Sequence, residues 1–253
     1  MFDLSVVIPV HNSAQFLESR IRALSDYLQS SGITYEIIAV DDGSRDSSPE
    51  ILSKLQLSNL RIILNKQNKG KFGAIAEGMA EARGNCCLFT DADIPYELSA
   101  IPYMLKLINE RQFHLVIGDR TLPGSHYRSD LTVLRKVMTV GFTFFVRVFV
   151  TGGLFDTQCG IKAFRRDVAK SIFPLLQETG FAGDVELLYI ALKNNLEIKR
   201  IPARLQFQGN STVRPARDAI RMLQTVVRIR GRFKSGMYHS PALEEIGRQD
   251  YWT

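Results

Sequence analysis

The first half of this chain alternates short apolar runs with amphipathic segments, and this alternation limits the fold more than any other feature. Apolar runs typical of strands occupy residues 4–10, 35–40, 60–64, 86–89 and 114–118. Segments with helical spacing follow the first four runs, at residues 14–28, 48–55, 72–82 and 98–111. This pattern predicts an α/β fold in which a mainly parallel sheet is covered by helices on both faces.

The strand–helix alternation ends after Asp119. Residues 120–130 are polar and predict a loop, and residues 134–150 are apolar but interrupted by Arg147. A membrane span needs roughly 20 mostly apolar residues, and the uncharged part of this segment is shorter. Two interpretations stay open, a core helix and a segment that lies at a bilayer surface.

The end of the chain has a different character. Residues 217–234 have helical spacing and alternate apolar side chains with arginines and lysine. A basic amphipathic helix of this kind either rests on anionic lipid headgroups or packs with one face in solvent. We therefore predict a main domain over residues 1–215, and a basic amphipathic helix with a polar tail over residues 216–253.

Charge and cysteine content narrow the class of partner. The net charge of +6 and a sequence pI of about 9.3 favour an anionic partner, such as lipid, nucleic acid or a phosphorylated substrate. No nucleic-acid-binding motif accompanies the basic residues, so we expect no nucleic acid. The three cysteines and an amino terminus without a basic region predict a cytoplasmic protein without a signal peptide.

Polar residues stand directly after the first four predicted strands. Strand ends of an open α/β sheet converge on the crevice where ligands bind. Carboxylates there accept hydrogen bonds from a base imide or a ribose hydroxyl, and lysines offset the charge of a diphosphate. The candidates, in chain order, are His11 and Asn12, Asp41 and Asp42, Lys69 and Lys71, and Asp91 and Asp93.

Asp91 and Asp93 are the candidate metal ligands. Alternate residues of an extended segment face the same way, so both carboxylates are expected to point toward one Mg²⁺ or Mn²⁺ ion. The alternative is an ordinary acidic turn. The chain lacks a P-loop and a G-x-G-x-x-G after the first strand, as well as H-E-x-x-H and C-x-x-C, which disfavours NTPase, dinucleotide and zinc sites.

Taken together in order, these motifs resemble the signature of family 2 glycosyltransferases. The residues that carry the resemblance are 8–12 (IPVHN), 40–46 (VDDGSRD), 68–71 (NKGK) and 91–93 (DAD). Further segments resemble the branch that glycosylates polyprenyl phosphate, including dolichyl-phosphate mannose and glucose synthases: 118–120 (GDR), 134–136 (LRK) and 156–164 (DTQCGIKAF). The last segment is most similar to glucose-type members.

The resemblance implies a glycosyltransferase A-type, Rossmann-like fold and a role for each matched position. The nucleotide-sugar contacts would be Pro9, His11, Asn12, Asp41, Asp42, Lys69, Lys71, Asp91 and Ala92. Asp91 and Asp93 would hold Mg²⁺ or Mn²⁺, and with Arg120 and Arg135 they would form the catalytic set. The acceptor phosphate would be held by Arg120, Arg128, Arg135 and Thr139. Pro95 stands where mannose-type members often have a glutamine, so the sequence identifies no third metal ligand.

The expected function is an inverting, metal-dependent transfer of a hexose from a UDP- or GDP-sugar to polyprenyl or dolichyl phosphate. Glucose is favoured over mannose, and the expected place is the cytoplasmic face of a membrane, with peripheral association. A phosphate monoester is mostly dianionic at neutral pH and attacks without a general base. Asp184 and Glu186 keep open a base-catalysed transfer to a saccharide or protein, and a non-catalytic nucleotide-sugar-binding module is the remaining alternative.

Overall fold

The computed structural model describes residues 2–125, 156–180, 182–206 and 215–248, with side chains from residue 224 onward in the last range. The strands within these residues are β1 (Leu4–Val10), β2 (Tyr35–Asp41), β3 (Leu60–Leu64), β4 (Cys86–Phe89), β5 (Leu115–Asp119), β6 (Lys162–Arg165) and β7 (Ile198–Pro202). The helices are α1 (Leu17–Ser30), α2 (Ser48–Lys54), α3 (Lys71–Glu81), α4 (Ala100–Asn109), α5 (Arg166–Ile172), α6 (Gly183–Lys193), α7 (Pro215–Lys234) and α8 (Pro241–Arg248).

The strands form one sheet in the order β3-β2-β1-β4-β6-β5-β7. β6 runs antiparallel to both of its neighbours, β4 and β5, and every other adjacent pair is parallel. The predicted α/β class with a mainly parallel sheet is confirmed.

Helices cover both faces of this sheet because its inner strands are apolar on both sides. In β1, Val7 packs into a cluster with α3, α5, α6, α7 and α8, whereas Val6 and Ile8 pack into a second cluster with α1, α2 and α4. Successive side chains of a strand point to opposite faces, and burying both faces explains the nearly continuous apolar runs in β1 and β2.

The topology places a crevice between β1 and β4. In the sheet, β2 and β3 lie on one side of β1, and β4 lies on the other side. At such a reversal the connections from the two neighbouring strands run toward opposite edges of the sheet, and a crevice opens at the carboxyl ends of the strands. The residues after Val10 and after Phe89 therefore lie at the rim of this crevice.

The predicted element boundaries are close to those observed. The largest difference is at the first helix, which was predicted from residue 14 and begins at Leu17. The amides of Phe16 and Leu17 both donate to the carbonyl of Ser13, and this turn delays the helix. The other predicted ends differ by at most two residues.

Strands β6 and β7 and helices α5, α6 and α8 were not predicted from the sequence. Lys162, the first residue of β6, is fully buried, although a lysine ordinarily marks a solvent-exposed position. The strand is also only four residues long, so it shows no alternating pattern.

The basic helix near the end of the chain packs on the main core. Val226 and Ile229 of α7 are buried in the cluster that contains Val7. The division between residues 215 and 216 stays a prediction. The apolar segment 134–150 lies outside the described residues, and within the described part of the chain no helix has the length and apolarity needed to cross a bilayer.

Candidate active site

The loops after β1 and β2 are joined by hydrogen bonds at the rim of the crevice. Asn12 has a left-handed φ of 51°, its amide donates to Ser44 Oγ (2.9 Å), and its Oδ1 accepts from the amide of Arg45 (2.8 Å). The Nδ1 of His11 lies 3.0 Å from the carbonyl oxygen of Asp42. The predicted contacts His11 and Asn12 therefore lie beside the carboxyl end of β2.

Asp42 connects this region to the loop after β3. Its two carboxylate oxygens accept from the amides of Lys69 (2.6 Å) and Gly70 (2.9 Å), and the side chain is buried. Gly70 has a φ of +86°, and an added Cβ would lie 2.5 Å from the carbonyl oxygen of Thr179. Asp42 therefore holds the loop that begins α3, and its predicted contact with a nucleoside stays a prediction.

Asp41 is buried and has an unused acceptor. Its Oδ2 accepts from the amide of Ser44 (3.1 Å), whereas its Oδ1 has no hydrogen-bond partner among the described residues. A buried carboxylate oxygen without a donor is costly, so a ligand N–H or O–H would complete this site. Pro9 pairs with Val40 in the same part of the sheet.

Asp91 and Asp93 lie in the loop that leaves β4. Lys71 Nζ approaches Asp91 Oδ1 at 2.5 Å, and the ammonium is only partly exposed. Burial and the neighbouring charge of Asp91 raise the pKa of Asp93. Ala92 stands between the two acids, so the three-residue loop presents two carboxylates beside a lysine.

Gly160 packs directly against this loop. A Cβ on Gly160 would lie 1.8 Å from Asp91 Oδ2. The amide of Gly160 donates to the hydroxyl of Tyr96 (2.7 Å), and Tyr96 is buried. The segment 156–164, identified from sequence by resemblance alone, thus forms the wall that holds Asp91 in place.

The carboxylate pair is suited to a divalent ion bound together with a diphosphate. Burial, and after it the like charge of Asp91, raise the pKa of Asp93, and a bound cation would relieve both effects. Across the described residues no group of three His, Cys, Asp or Glu side chains could hold a metal. Mg²⁺ commonly binds through one or two carboxylates plus substrate phosphates and waters, and Mn²⁺ also favours oxygen ligands, so Asp91 and Asp93 fit either ion.

A buried ion pair that was not predicted from the sequence lies next to the end of β4, close to the loop of Asp91 and Asp93. Lys162 Nζ donates to Asp184 Oδ1 and to the carbonyl of Cys159, both at 2.6 Å, and the charged side chains are almost fully buried. Asp184, at the start of α6, was a candidate base in the sequence, but its partner Lys162 lies in the strand β6, which was not predicted.

Glu186, the second acid of α6, accepts four hydrogen bonds. Its Oε2 accepts from the amides of Gln177 (2.8 Å) and Glu178 (2.7 Å). Its Oε1 accepts from Arg232 (3.2 Å) and from the hydroxyl of Tyr238 (2.5 Å). This fully buried carboxylate ties α6 to α7 and the chain that follows it.

Arg120 forms a bidentate ion pair with Asp156. Its Nε and one terminal nitrogen donate to the two carboxylate oxygens, each at 2.7 Å. Although burial opposes both charges, these hydrogen bonds raise the pKa of Arg120 and lower that of Asp156. The other predicted acceptor-phosphate residues, Arg128, Arg135 and Thr139, lie outside the described residues.

The two predicted lysines have different surroundings. Lys69 Nζ pairs with Glu77 at 3.0 Å and is half exposed, whereas Lys71 Nζ contacts Asp91. Burial opposes the charge of Lys71, but Asp91 and Asp184 outweigh it and raise the pKa of this lysine. Of the two, Lys71 is the cation in contact with a candidate metal ligand.

Comparison with known proteins identifies the family. The model of glycosyl transferase family 2 matches residues 5–173, which contain every described residue of the site except those of α6 and the segments around it. The chain belongs to glycosyltransferase family 2. The family predicted from the ordered motifs is thereby confirmed.

Several relatives that have the same name match most of this family 2 chain in sequence. The dolichyl-phosphate beta-glucosyltransferase of Dictyostelium discoideum is 34% identical over 93% of this chain and 76% of its own length. The enzymes of the same name from Saccharomyces cerevisiae and Homo sapiens are 31% and 30% identical, also over 93% of this chain, and over 76% and 77% of their own lengths.

Solved structures confirm the glycosyltransferase A-type fold. Glucosyl-3-phosphoglycerate synthase from Mycobacterium tuberculosis, in complex with Mn²⁺, UDP-glucose and phosphoglyceric acid, matches with a TM-score of 0.67. The match covers 91% of this chain and 80% of that chain at 20% identity. The same synthase with Mg²⁺ and UDP gives a TM-score of 0.62, with 90% and 78% coverage at 20% identity.

Proposed function

We propose that this family 2 glycosyltransferase transfers glucose from UDP-glucose to dolichyl phosphate with inversion at the anomeric carbon. The shared name of the relatives supports glucose and dolichyl phosphate, and β-linked product from an α-linked donor requires inversion. The UDP and UDP-glucose bound by the M. tuberculosis synthase support the same donor class.

The nucleoside would bind at the carboxyl ends of β1 and β2. The unused Oδ1 of Asp41 would accept a hydrogen bond from the N–H of the uracil ring, a donor that this buried oxygen otherwise lacks. His11 and Asn12 lie beside it, and their loop is held by Ser44 and Arg45. Pro9, Asp42, Ala92 and Lys69 are the remaining proposed contacts with the nucleotide sugar.

The diphosphate would bind next to Asp91, Asp93 and Lys71. Mg²⁺ or Mn²⁺ held there would supply Lewis-acid stabilisation of the departing diphosphate. Asp91 is kept in position by Gly160 on one side and by Lys71 on the other. The Lys71 ammonium lies within reach of the same negative charge and would stabilise the leaving group further.

The arrangement of Asp184 and Glu186 is the observation that carries the choice of acceptor. A sugar or peptide hydroxyl needs a general base, and these two acids were the candidates. Asp184 is buried against Lys162, and both oxygens of Glu186 already accept hydrogen bonds. An acceptor that is already an anion, such as a phosphate monoester, avoids this need because it attacks without losing a proton first.

The acceptor phosphate would be held by cations that follow Asp91 and Asp93 in the chain. Arg120 is partly exposed, pairs with Asp156, and lies in the same part of the molecule as Tyr96 and Cys159. We assign the predicted contacts Arg128, Arg135 and Thr139 to the same phosphate, together with Arg120. These side chains would hold the phosphate in line with the anomeric carbon.

A donor titration tests the nucleotide half of this proposal. We expect UDP-glucose with Mn²⁺ to raise the thermal midpoint at concentrations where GDP-mannose has little effect, because ligand binding to the folded state stabilises it. In Asp41→Asn, the affinity for UDP-glucose in this titration should fall at least about tenfold, because one hydrogen bond to a charged group is lost. Asp26→Asn, at an exposed position of α1, is the matched control. An equal response to GDP-mannose would reject the proposed donor.

The acceptor is expected to bring the enzyme to the cytoplasmic face of a membrane. The exposed side of α7 carries Val227, Arg230 and Lys234, which combine apolar and cationic groups suited to an anionic lipid surface. Sedimentation with anionic vesicles but not with neutral ones would support peripheral association, and equal sedimentation with both would contradict this electrostatic role.

A further inference from the structure

We propose that Lys71 occupies one carboxylate oxygen of Asp91, Oδ1, until a diphosphate draws it away, so that metal and nucleotide bind in a coupled manner. This inference rests on the proposed function, in which Asp91 is a metal ligand. It adds a specific competitor, a cation belonging to the protein itself.

The side chains of Lys71 and Asp91 are in direct contact. Lys71 Nζ lies 2.5 Å from Asp91 Oδ1, and the other oxygen, Oδ2, faces Gly160 too closely for any added side chain there. A divalent ion that approaches Asp91 therefore meets an ammonium at one oxygen and a backbone wall near the other. Two cations on one carboxylate repel, so a metal binds Asp91 more tightly when Lys71 moves away.

The backbone of Lys71 is fixed, which leaves only its side chain to move. The preceding amides of Lys69 and Gly70 donate to Asp42, and the following amide of Phe72 donates to Thr179 O (2.7 Å). The lysine stem has several rotatable bonds, so the ammonium can swing without the backbone, but leaving Asp91 breaks a partly buried ion pair. A nearby anion gives the displaced ammonium a new partner.

A diphosphate bound beside Asp91 supplies that anion. When it arrives, Lys71 exchanges the carboxylate for phosphate oxygens, and Asp91 becomes available to the metal. A ligand that changes the affinity for a second ligand is changed by it to the same extent. Nucleotide should therefore tighten metal binding, and Lys71 should be a principal cause of this coupling.

Asp93 does not share this arrangement. Its raised pKa reflects burial and the charge of Asp91, and its carboxylate is not among the ion pairs found in the described part of the chain. The direct contact is therefore specific to Asp91, although the charge of Lys71 also acts on Asp93. The competition predicts that removing one positive charge improves metal binding in the protein without nucleotide.

The test is a Mn²⁺ titration followed by the electron paramagnetic resonance signal of free Mn²⁺, with and without UDP. Without UDP, Lys71→Met should bind Mn²⁺ about tenfold more tightly than the wild type, within the usual range of coupling between two sites. With UDP, the gain in Mn²⁺ affinity should be clearly smaller in the variant than in the wild type. Lys71→Gln should behave in the same way.

Lys106→Met is the control for net charge. Lys106 is exposed on α4 and faces Glu110 at 3.6 Å, so its removal changes the same charge away from the site. It should leave both Mn²⁺ affinities unchanged. Circular dichroism establishes that each variant is folded before titration.

Three results would overturn the inference. Mn²⁺ binding by Lys71→Met that is unchanged or weaker without UDP would remove the competitor role. An undiminished effect of UDP on Mn²⁺ affinity in that variant would remove the coupling role. If the wild type binds no Mn²⁺ even with UDP, the metal site of the proposed function fails as well, which separates the two failures.

Discussion

Asp91 and Asp93 follow the same strand but differ in their surroundings. Asp91 has Lys71 at one oxygen, whereas Asp93 is partly buried next to a like charge. The partly buried carboxylate of Asp93 destabilises the folded protein on its own and is suited to binding a cation. The difference yields a prediction in which stability and activity change in opposite directions.

We expect Asp93→Asn to stabilise the metal-free protein at neutral pH and to lower glucosyl transfer by a factor on the order of 10². Burial and Asp91 raise the pKa of Asp93, so its contribution to stability is present at low pH and lost as the pH rises through that pKa. The stability difference between variant and wild type should therefore shrink on acidification. Denaturant unfolding with EDTA at neutral and acidic pH measures it, and a less stable variant at neutral pH would contradict this account.

Gly160→Ala should lower activity by about 100-fold with little loss of secondary structure. The new Cβ would lie 1.8 Å from Asp91 Oδ2, so the carboxylate or the loop must shift, and a shift of about 1 Å in a catalytic group has this scale of effect. The control is Gly231→Ala in α7, where an added Cβ meets nothing within 4 Å. Wild-type turnover by Gly160→Ala would show that the position of Asp91 is not critical.

Helices α6 and α7 are joined through one buried carboxylate. Glu186 of α6 accepts from Arg232 of α7 and from Tyr238, and its other oxygen holds the turn at Gln177 and Glu178. That turn leads to Thr179, which contacts Gly70 at the start of α3. The basic helix is thus connected to the loop that carries Lys71.

Tyr238→Phe should lower the free energy of unfolding by about 2 kcal/mol, because the buried carboxylate of Glu186 loses a hydrogen-bond donor. Glucosyl transfer below the melting temperature should be kept, since Tyr238 lies outside the proposed site. Tyr103→Phe, at a half-exposed position of α4, should change stability by less than about 0.5 kcal/mol. Equal stability of Tyr238→Phe and wild type in denaturant unfolding would refute the structural role of this hydrogen bond.

The first four strands could be predicted because local sequence and tertiary position agree there. β1 and β2 are continuous apolar runs buried on both faces, and the polar residues that follow them mark the ligand edge of the sheet. β6 could not be predicted, since a buried lysine begins it and its partner, Asp184, is distant in sequence. The contacts of Lys71 and Gly160 with Asp91 depend on tertiary packing between separate segments, so sequence gave no signal for their geometry.

The enzyme combines polar residues at the carboxyl ends of its strands with a net positive charge. Donor contacts are proposed at the ends of β1, β2 and β4, where Asp41 has an unused oxygen and Asp91 meets Lys71. The cations proposed for the acceptor come later in the chain, beginning at Arg120. Together with the net charge of +6, these residues are suited to an enzyme that binds a nucleotide sugar and a phosphorylated lipid.

The most direct test supplies UDP-glucose, with glucose radiolabelled, together with dolichyl phosphate and Mn²⁺, and measures the label that extracts into organic solvent. We predict label in the organic phase that requires both dolichyl phosphate and the divalent ion, and a loss on the order of 10²-fold or more in Asp91→Asn. Asp26→Asn should match the wild type. Label that stays in water-soluble glycan or protein, or an Asp91→Asn variant as active as the wild type, would contradict a metal-dependent dolichyl-phosphate glucosyltransferase.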